Sequence, residues 1–230
     1  MKSYKSALTI FATAVFIALT GCASKPTEHY SGFLSDYSQL KPAKDAKGEP
    51  IMAWVSPDMT SGKYHKVIID PVVFYPAAAP TKEVDAATLN QIQAYYTNEL
   101  RQKIGAQIPV VDQPGPDVLR LEVAITAVAT ENAPLKAYDY IPIAFVVHTG
   151  MSAAGKGAQD AEIGTEMEVL DSQSGTRLAA VVKSGRGTEV TEMKQGDEKG
   201  QEMVTLDNVK PLLDSWAETA ADFAAKNLSH

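Results

Sequence analysis

The chain has 230 residues, of which 45% are hydrophobic and 21% charged, and its formal net charge is −7. That length suits one domain with short extensions, and the composition argues against global disorder and against a polytopic membrane protein. An acidic chain without a basic face is not expected to bind nucleic acid. The single cysteine, Cys22, excludes an internal disulfide and a thiolate-rich zinc site.

Residues 1–21 are predicted to be a cleaved lipoprotein signal peptide. Two lysines precede an uncharged apolar run at residues 7–19, which is shorter than the roughly 20 residues of a membrane-spanning helix. The tetrapeptide Leu-Thr-Gly-Cys that ends at Cys22 resembles the lipobox of bacterial lipoproteins. That resemblance implies that Cys22 becomes the first residue of the mature chain and carries the acyl chains of a membrane anchor.

The residues after Cys22 favour one destination for the anchored protein. Lipoproteins kept at the inner membrane of enteric bacteria often carry Asp after the cysteine, whereas Ala23 and Ser24 stand here. The resemblance therefore implies the outer membrane, facing the periplasm. Residues 22–30 are predicted to be the acylated cysteine and a short polar tether.

The next segment, residues 31–62, is predicted to be an ordered but irregular N-terminal arm. Three glycines and three prolines are scattered through it, so no helical or strand period continues for long. Five apolar side chains are expected to hold it on the domain: Phe33, Leu34, Tyr37, Leu40 and Trp54. Residues 63–230 are predicted to form a single α/β domain.

Apolar runs and alternating patterns predict five strands in this domain. Their ranges are 64–75 with a bend at Pro71, 108–111, 118–130, 161–170 and 177–183. Turn-forming residues from Asp171 to Gly175 make the last two strands a hairpin. The polar residues 184–201 that follow are predicted to be a loop.

Apolar residues spaced three or four apart predict two amphipathic helices. The first has Asp85 as its N-cap and extends to about residue 104. Its apolar face consists of Leu89, Ile92, Tyr96, Leu100 and Ile104. The second covers about residues 207–228 and includes Trp216. Together the elements predict an α+β fold, a two-layer sandwich in which two amphipathic helices cover a mixed sheet of about five strands. Val123, Ile125 and Trp216 are predicted to be core residues.

The residue types that carry out chemistry do not form a recognised motif. Residues 150–157 approach a phosphate-binding loop, but Gly157 stands where a hydroxyl should hold magnesium, so no nucleotide is expected. The four histidines lack metal-ligand spacing, and neither a metal nor another cofactor is predicted. His65 and Asp70 would join a serine in a triad only through the tertiary structure. Glutamates at positions 162, 166 and 168 are expected on a solvated sheet face rather than in an acid–base pair.

Several stretches resemble the domain-of-unknown-function 3313 family of bacterial lipoproteins. They are the arm sequence SGFLSDYSQLKP at residues 31–42, YHKVIIDPV at 64–72, and the turn near Asp171 and Gly175 with the Leu-Ala-Ala that follows it at 178–180. The resemblance covers about residues 31–226. It implies membership of a lipoprotein family but brings no activity and no catalytic residue.

The apolar segment 133–158 separates two strands and is the candidate contact surface. Loops of this length in compact domains are often functional. The surface is predicted to include Tyr138, Tyr140, Phe145 and Val147, and its partner would be another envelope protein. The alternative is an extra strand or helix packed on the core.

The sequence therefore favours a lipid-anchored, non-catalytic binding or scaffolding domain in the periplasm. Two alternatives remain open: an envelope hydrolase whose site forms only in the tertiary structure, and a subunit of a secretion or transport assembly.

Overall fold

The computed structural model describes residues 30–59, 62–80, 84–126, 146–149, 159–189, 192–193 and 202–228. Within these ranges, the elements in chain order are β1 (Lys41–Lys44), β2 (Pro50–Val55), β3 (Lys66–Ile69), β4 (Val73–Phe74), α1 (Ala86–Gly105), β5 (Val118–Thr126), β6 (Val146–Thr149), β7 (Gln159–Asp171), β8 (Arg177–Glu189), β9 (Glu192–Met193), β10 (Glu202–Met203) and α2 (Leu206–Leu228).

Eight of these strands form one mixed sheet. The strand order is β1-β2-β8-β7-β5-β3, with β4 also beside β5 and β6 beside β7. Strands β3 and β4 run parallel to β5, and the other neighbours in the sheet are antiparallel. The predicted α+β fold with a mixed sheet and two helices is confirmed, although the sheet has more strands than the five expected.

Two of the additional strands lie in the arm that was expected to be irregular. Strands β1 and β2 form a hairpin, and β2 pairs with β8 so that Trp54 lies opposite Ala180. The sequence pattern did not indicate this hairpin, because every residue of β1 is exposed and the strand therefore has no alternation of apolar and polar residues. Prolines at positions 42 and 50 also argue against strands, but both are tolerated here, on an edge strand and at a strand start.

The other predicted strands differ from the observed strands in their length and in where they end. The strand expected over residues 64–75 is divided around Pro71 into β3 and β4. The strand expected at 108–111 is reduced to a single bridge between Val110 and Val67. Strand β8 extends to Glu189, into the region expected to be a loop.

Both helices pack on one face of the sheet, as the periodicity predicts. Asp85 caps α1 by accepting a hydrogen bond of 2.8 Å from the Thr88 amide, and the five predicted face residues are its buried residues. Val123, Ile125 and Trp216 are buried in the same core, with exposures of 1%, 0% and 3%. The three core predictions are therefore confirmed.

The part of the arm before β1, up to residue 40, covers the opposite face of the sheet. Leu34 and Leu40 are buried there against Ala180 of β8, and four aromatic side chains pack around them: Tyr30, Phe33, Tyr37 and Trp54. All five residues expected to hold the arm belong to this cluster, Trp54 as a residue of β2. The central part of the sheet is therefore covered on both faces, by two helices on one side and by a single irregular segment on the other.

Candidate functional site

A cavity of about 500 Å³ lies between α2 and the sheet. Its floor comes from β5, β7 and β8, its roof from the second half of α2, and one side from β2 and the turn after β1. The lining is mainly apolar and includes Val67, Leu119, Leu121, Met167, Trp216 and Leu228. Cavities of about 300–1,000 Å³ with such a lining are typical of small-molecule sites.

Small side chains on facing walls explain why this space is not filled. Ala53 and Ala179 stand on the sheet, and Ala220 and Ala224 face them from α2. Protein interiors are normally packed as densely as organic crystals, so a row of alanines opposite alanines leaves unfilled volume. The alanine-rich second half of α2 was the sequence signal for this cavity, but the pattern alone also fits close helix packing.

The polar groups of the cavity are concentrated around Lys183. Its ammonium group donates to the Asp45 carboxylate at 2.7 Å and to the Thr219 hydroxyl at 2.9 Å. Both charged side chains are nearly buried, with exposures of 5% for Lys183 and 7% for Asp45. The hairpin turn, β8 and α2 are therefore joined at one point on the cavity wall.

Burial and pairing act in opposite directions on these two groups. Burial lowers the pKa of Lys183, and the Asp45 carboxylate opposes that effect. Burial alone would raise the pKa of Asp45, but hydrogen bonds from Lys183 and from the amides of Glu49 and Lys47 hold it below its usual range. The ion pair between Lys183 and Asp45 thus opposes the effect of burial on both groups.

Further charges stand where the cavity meets solvent. Lys44, Lys226 and Asp222 are exposed and belong to the lining. Together with Lys183 and Asp45, they give the lining three lysines and two aspartates, a net charge of +1. The whole chain carries −7, so the entrance differs in sign from the molecule around it.

A second polar cluster lies on the other face of the sheet, beneath the arm. Glu166 and Glu168 are only 2% and 6% exposed, so the solvated face expected for them is wrong. The physical reason is that the arm supplies hydrogen-bond donors in place of water. Glu166 accepts from the Ser31 amide at 2.9 Å and from the Tyr37 hydroxyl at 2.6 Å.

Glu168 is held in the same way at the neighbouring position. It accepts from the amide and the hydroxyl of Ser35 at 3.3 and 3.0 Å. Arg177 lies 3.3 Å from the same carboxylate oxygen and also contacts Asp36 of the arm. This cluster therefore fixes the arm to the sheet, which gives both glutamates a structural role.

The remaining residues considered for catalysis are not brought together. The Asp70 carboxylate pairs with Arg120 at 2.7 Å, and the His65 amide donates to the Asp117 carbonyl. Within the described ranges, no group of three His, Cys, Asp or Glu side chains is placed to hold a metal ion.

No helix among those residues is long and apolar enough to cross a membrane.

Several predicted site residues fall outside the described part of the chain. Cys22, Tyr138, Tyr140 and Phe145 lie there, as does the Gly-rich segment 150–157. Val147 lies in β6, where its backbone is opposite Ala161 of β7. Part of the segment 133–158 is thus an additional strand of the sheet.

The fold and cavity define an α+β domain with an apolar site between sheet and helix. The chain belongs to the family described as "Protein of unknown function (DUF3313)", whose model matches residues 29–220. The resemblance seen in the sequence is therefore confirmed.

Comparison with known proteins adds a lipoprotein relative. The protein named "Uncharacterized lipoprotein YdcL" from Escherichia coli K12 is 32% identical over 209 residues, which are 90% of this chain and 91% of the relative. A protein of that name from E. coli O157:H7 matches equally. Homology to a lipoprotein supports a lipid-anchored envelope location.

Solved structures overlap with the fold only in part. A PelC dodecamer from Paraburkholderia phytofirmans is 11% identical with a TM-score of 0.37, covering 78% of this chain and 98% of that one. Protein XCC0632 from Xanthomonas campestris is 8% identical with a TM-score of 0.39, covering 75% and 90%. At these TM-scores the similarity supplies no argument about function.

Proposed function

We propose that this chain is a lipid-anchored, non-catalytic protein of the bacterial envelope whose domain binds an apolar small molecule. The observation that carries the proposal is the cavity of about 500 Å³ between α2 and the sheet. A cavity of about 150 Å³ lined by aliphatic and aromatic side chains already binds benzene. The larger space here suits a correspondingly larger apolar ligand.

The anchor is proposed at Cys22, on the outer membrane and facing the periplasm. The lipobox-like tetrapeptide and the lipoprotein relative support it. The tether leads to Tyr30, which packs with the arm on the face of the sheet opposite the cavity. Anchoring through this end therefore leaves the cavity entrance open to the periplasm.

Binding without catalysis is favoured by how the acidic side chains are used. Glu166 and Glu168 accept hydrogen bonds from the arm, and Asp45 is paired with Lys183. A general base needs a lone pair directed at its substrate, whereas these oxygens face protein donors.

The segment 133–158, with Tyr138, Tyr140, Phe145 and Val147, is kept as a proposed contact surface for an envelope partner.

Filling the cavity tests the proposal. Ala220→Phe places a large side chain on the roof, and Ala87→Phe makes the same change at an exposed position of α1 outside the lining. The uncharged fluorescent probe N-phenyl-1-naphthylamine should bind the unmodified protein and the Ala87 variant equally. The Ala220 variant should bind it at least tenfold more weakly, because the added ring occupies the ligand volume.

Two results would contradict the proposal. One is the absence of saturable probe fluorescence with the unmodified protein. The other is equal affinity in the Ala220→Phe and Ala87→Phe variants, with circular dichroism showing that both are folded.

A further inference from the structure

We infer that the ligand is an amphiphile with a single extended apolar chain and an anionic head group. This inference rests on the proposed function and deepens it, because it names the class of ligand for the same cavity. Two features carry it: the shape of the cavity floor and the distribution of charge along the lining.

The floor is a band of side chains that crosses five strands of the sheet, from β2 to β3. In the strand register Leu121 lies opposite Val169, Val169 opposite Ala179, and Ala179 opposite Val55. The lining continues onto β3 with Val67, which lies opposite Leu119, two residues before Leu121 on β5, so it draws on all five strands from β2 to β3. Four spacings between neighbouring strands amount to roughly 19 Å. An elongated apolar slot of this length fits a chain better than a compact ring.

The charges of the lining select the head group. Lys183 is held by Asp45 and Thr219, which use two of the three N–H donors of its ammonium group. Lys44 and Lys226 are exposed at the entrance, and Asp222 is the acidic group beside them. An anion at the entrance would therefore meet a surplus of ammonium donors, whereas a cation would meet a surplus of like charge.

The slot would hold the apolar chain of the ligand, and the entrance would hold its charged end. An aliphatic chain lying along the floor would remove apolar surface from water on both sides, which favours binding. Its charged end would remain at the entrance, where partial hydration avoids the cost of burying an ion. A carboxylate and a phosphate monoester share this chemistry, and both are suitable head groups.

Probes with one chain and three head groups test the inference on the full mature domain. Dodecanoate, dodecanol and dodecyltrimethylammonium are compared by displacement of N-phenyl-1-naphthylamine below their micelle-forming concentrations. Dodecanol is the least water-soluble of the three, so a cavity that recognises only the chain would prefer it. We expect dodecanoate to displace the probe at a concentration at least tenfold lower than either of the others.

Substitutions at the entrance then identify the source of the preference. The double variant Lys44→Gln and Lys226→Gln removes two exposed lysines of the lining, and Lys41→Gln removes an exposed lysine of β1 outside it. The double variant should lose most of the preference for dodecanoate while binding the naphthylamine normally, and the Lys41 variant should keep it. Dodecyl phosphate in place of dodecanoate shows which anion fits better.

The outcomes separate this inference from the function on which it rests. Strong binding of the naphthylamine with equal displacement by all three dodecyl compounds, or with the cation preferred, would overturn the anionic head group and leave the apolar site intact. Unchanged preference for dodecanoate in the double variant would also overturn it. A protein that does not bind the naphthylamine at all would remove both the proposed function and the inference.

Discussion

Two tyrosines of this domain, the half-buried Tyr37 and the buried Tyr96, differ in what their hydroxyl groups contact. The Tyr37 hydroxyl donates to Glu166 and accepts from the amides of Gly32 and Leu34 at 2.9 and 3.0 Å. Burial and the neighbouring Glu166 carboxylate raise the pKa of Tyr37 to about 12. Tyr96 is fully buried and makes no hydrogen bond of good geometry within the described residues.

A matched pair of Tyr→Phe substitutions should show this difference. Hydrogen bonds to charged groups contribute about 1.5–3 kcal/mol, so Tyr37→Phe should lower the free energy of unfolding by about that amount. Tyr96→Phe should leave it within about 0.5 kcal/mol or raise it, because the hydroxyl already lacks a partner there. Urea denaturation of both variants measures the two effects. Equal losses would mean that Tyr96 is paired or that Tyr37 is not.

The sequence could not show at residue scale that Glu166 and Glu168 are buried. Alternation along a strand tells which residues share a face, and Ile163 and Met167, on the face opposite the two glutamates, lie in the core under the helices. Polarity on the other face indicates a need for hydrogen-bond partners, but water and the amides and hydroxyls of the arm meet it equally well. The distinction depends on where residues 31–37 lie in three dimensions.

At the scale of elements, the β7–β8 hairpin is fixed by one carboxylate. The Asp171 side chain accepts from the Ser174 amide at 2.9 Å and from the Tyr64 hydroxyl at 2.8 Å. These hydrogen bonds, that of Ser174 first, hold the pKa of Asp171 well below its usual range. Gly175 completes the turn with a φ of +70°, a conformation that costs glycine little.

The lowered pKa of Asp171 predicts how the stability of this hairpin depends on pH. An aspartate whose pKa is lower in the folded state contributes its stability above the unfolded value of about 3.9 and loses it as pH falls through the folded value. Asp171→Asn should therefore be less stable than the unmodified protein at neutral pH. The difference should stay constant from neutral pH to about pH 5 and shrink as the pH falls from about 5 to 3.

Thermal unfolding across that pH range provides the measurement, with the exposed Asp112→Asn as the control for loss of a carboxylate. A difference between Asp171→Asn and the unmodified protein that stays constant with pH would show that the aspartate contributes only through its shape.

The elements with strong periodicity were predicted well, and those without it were missed. The five face residues of α1 were correct because a helix packed on one side repeats its burial every three to four residues. Strand β1 was missed because an exposed edge strand has no buried side to generate a pattern. Its hairpin partner β2 is held in turn by β8, so the place of this hairpin in the sheet is specified by contacts that are remote in sequence.

At the scale of the whole molecule, the sheet separates two different surfaces. The helix face contains the large core and the apolar cavity, whereas the arm face contains the smaller cluster of Leu34, Leu40 and Ala180. The cavity could not be predicted from the sequence, because it arises from alanines of β2, β8 and α2 that meet only in the folded domain. The arm connects the proposed anchor to the face that does not carry the cavity.

This division predicts the effect of removing the part of the arm that precedes β1. A domain that begins at residue 41 lacks Leu34 and Leu40, which are 3% and 9% exposed in the structure, and also the donors to Glu166 and Glu168. Burial of one leucine contributes about 1.5–3 kcal/mol, so the two together predict a loss of about 3–6 kcal/mol relative to a domain that begins at residue 30. This is a large share of the usual 5–15 kcal/mol of a folded domain.

Urea unfolding of the two domains measures that loss. The slope of the unfolding free energy against urea concentration should also be smaller for the shortened domain, because less surface is buried when it folds. The shortened domain should still bind N-phenyl-1-naphthylamine in dilute buffer, since the cavity is formed on the other face by α2 and the strands beneath it. Equal urea midpoints would show that the arm is only a tether. Loss of probe binding in a shortened domain that remains folded would show that the arm supports the cavity through the sheet.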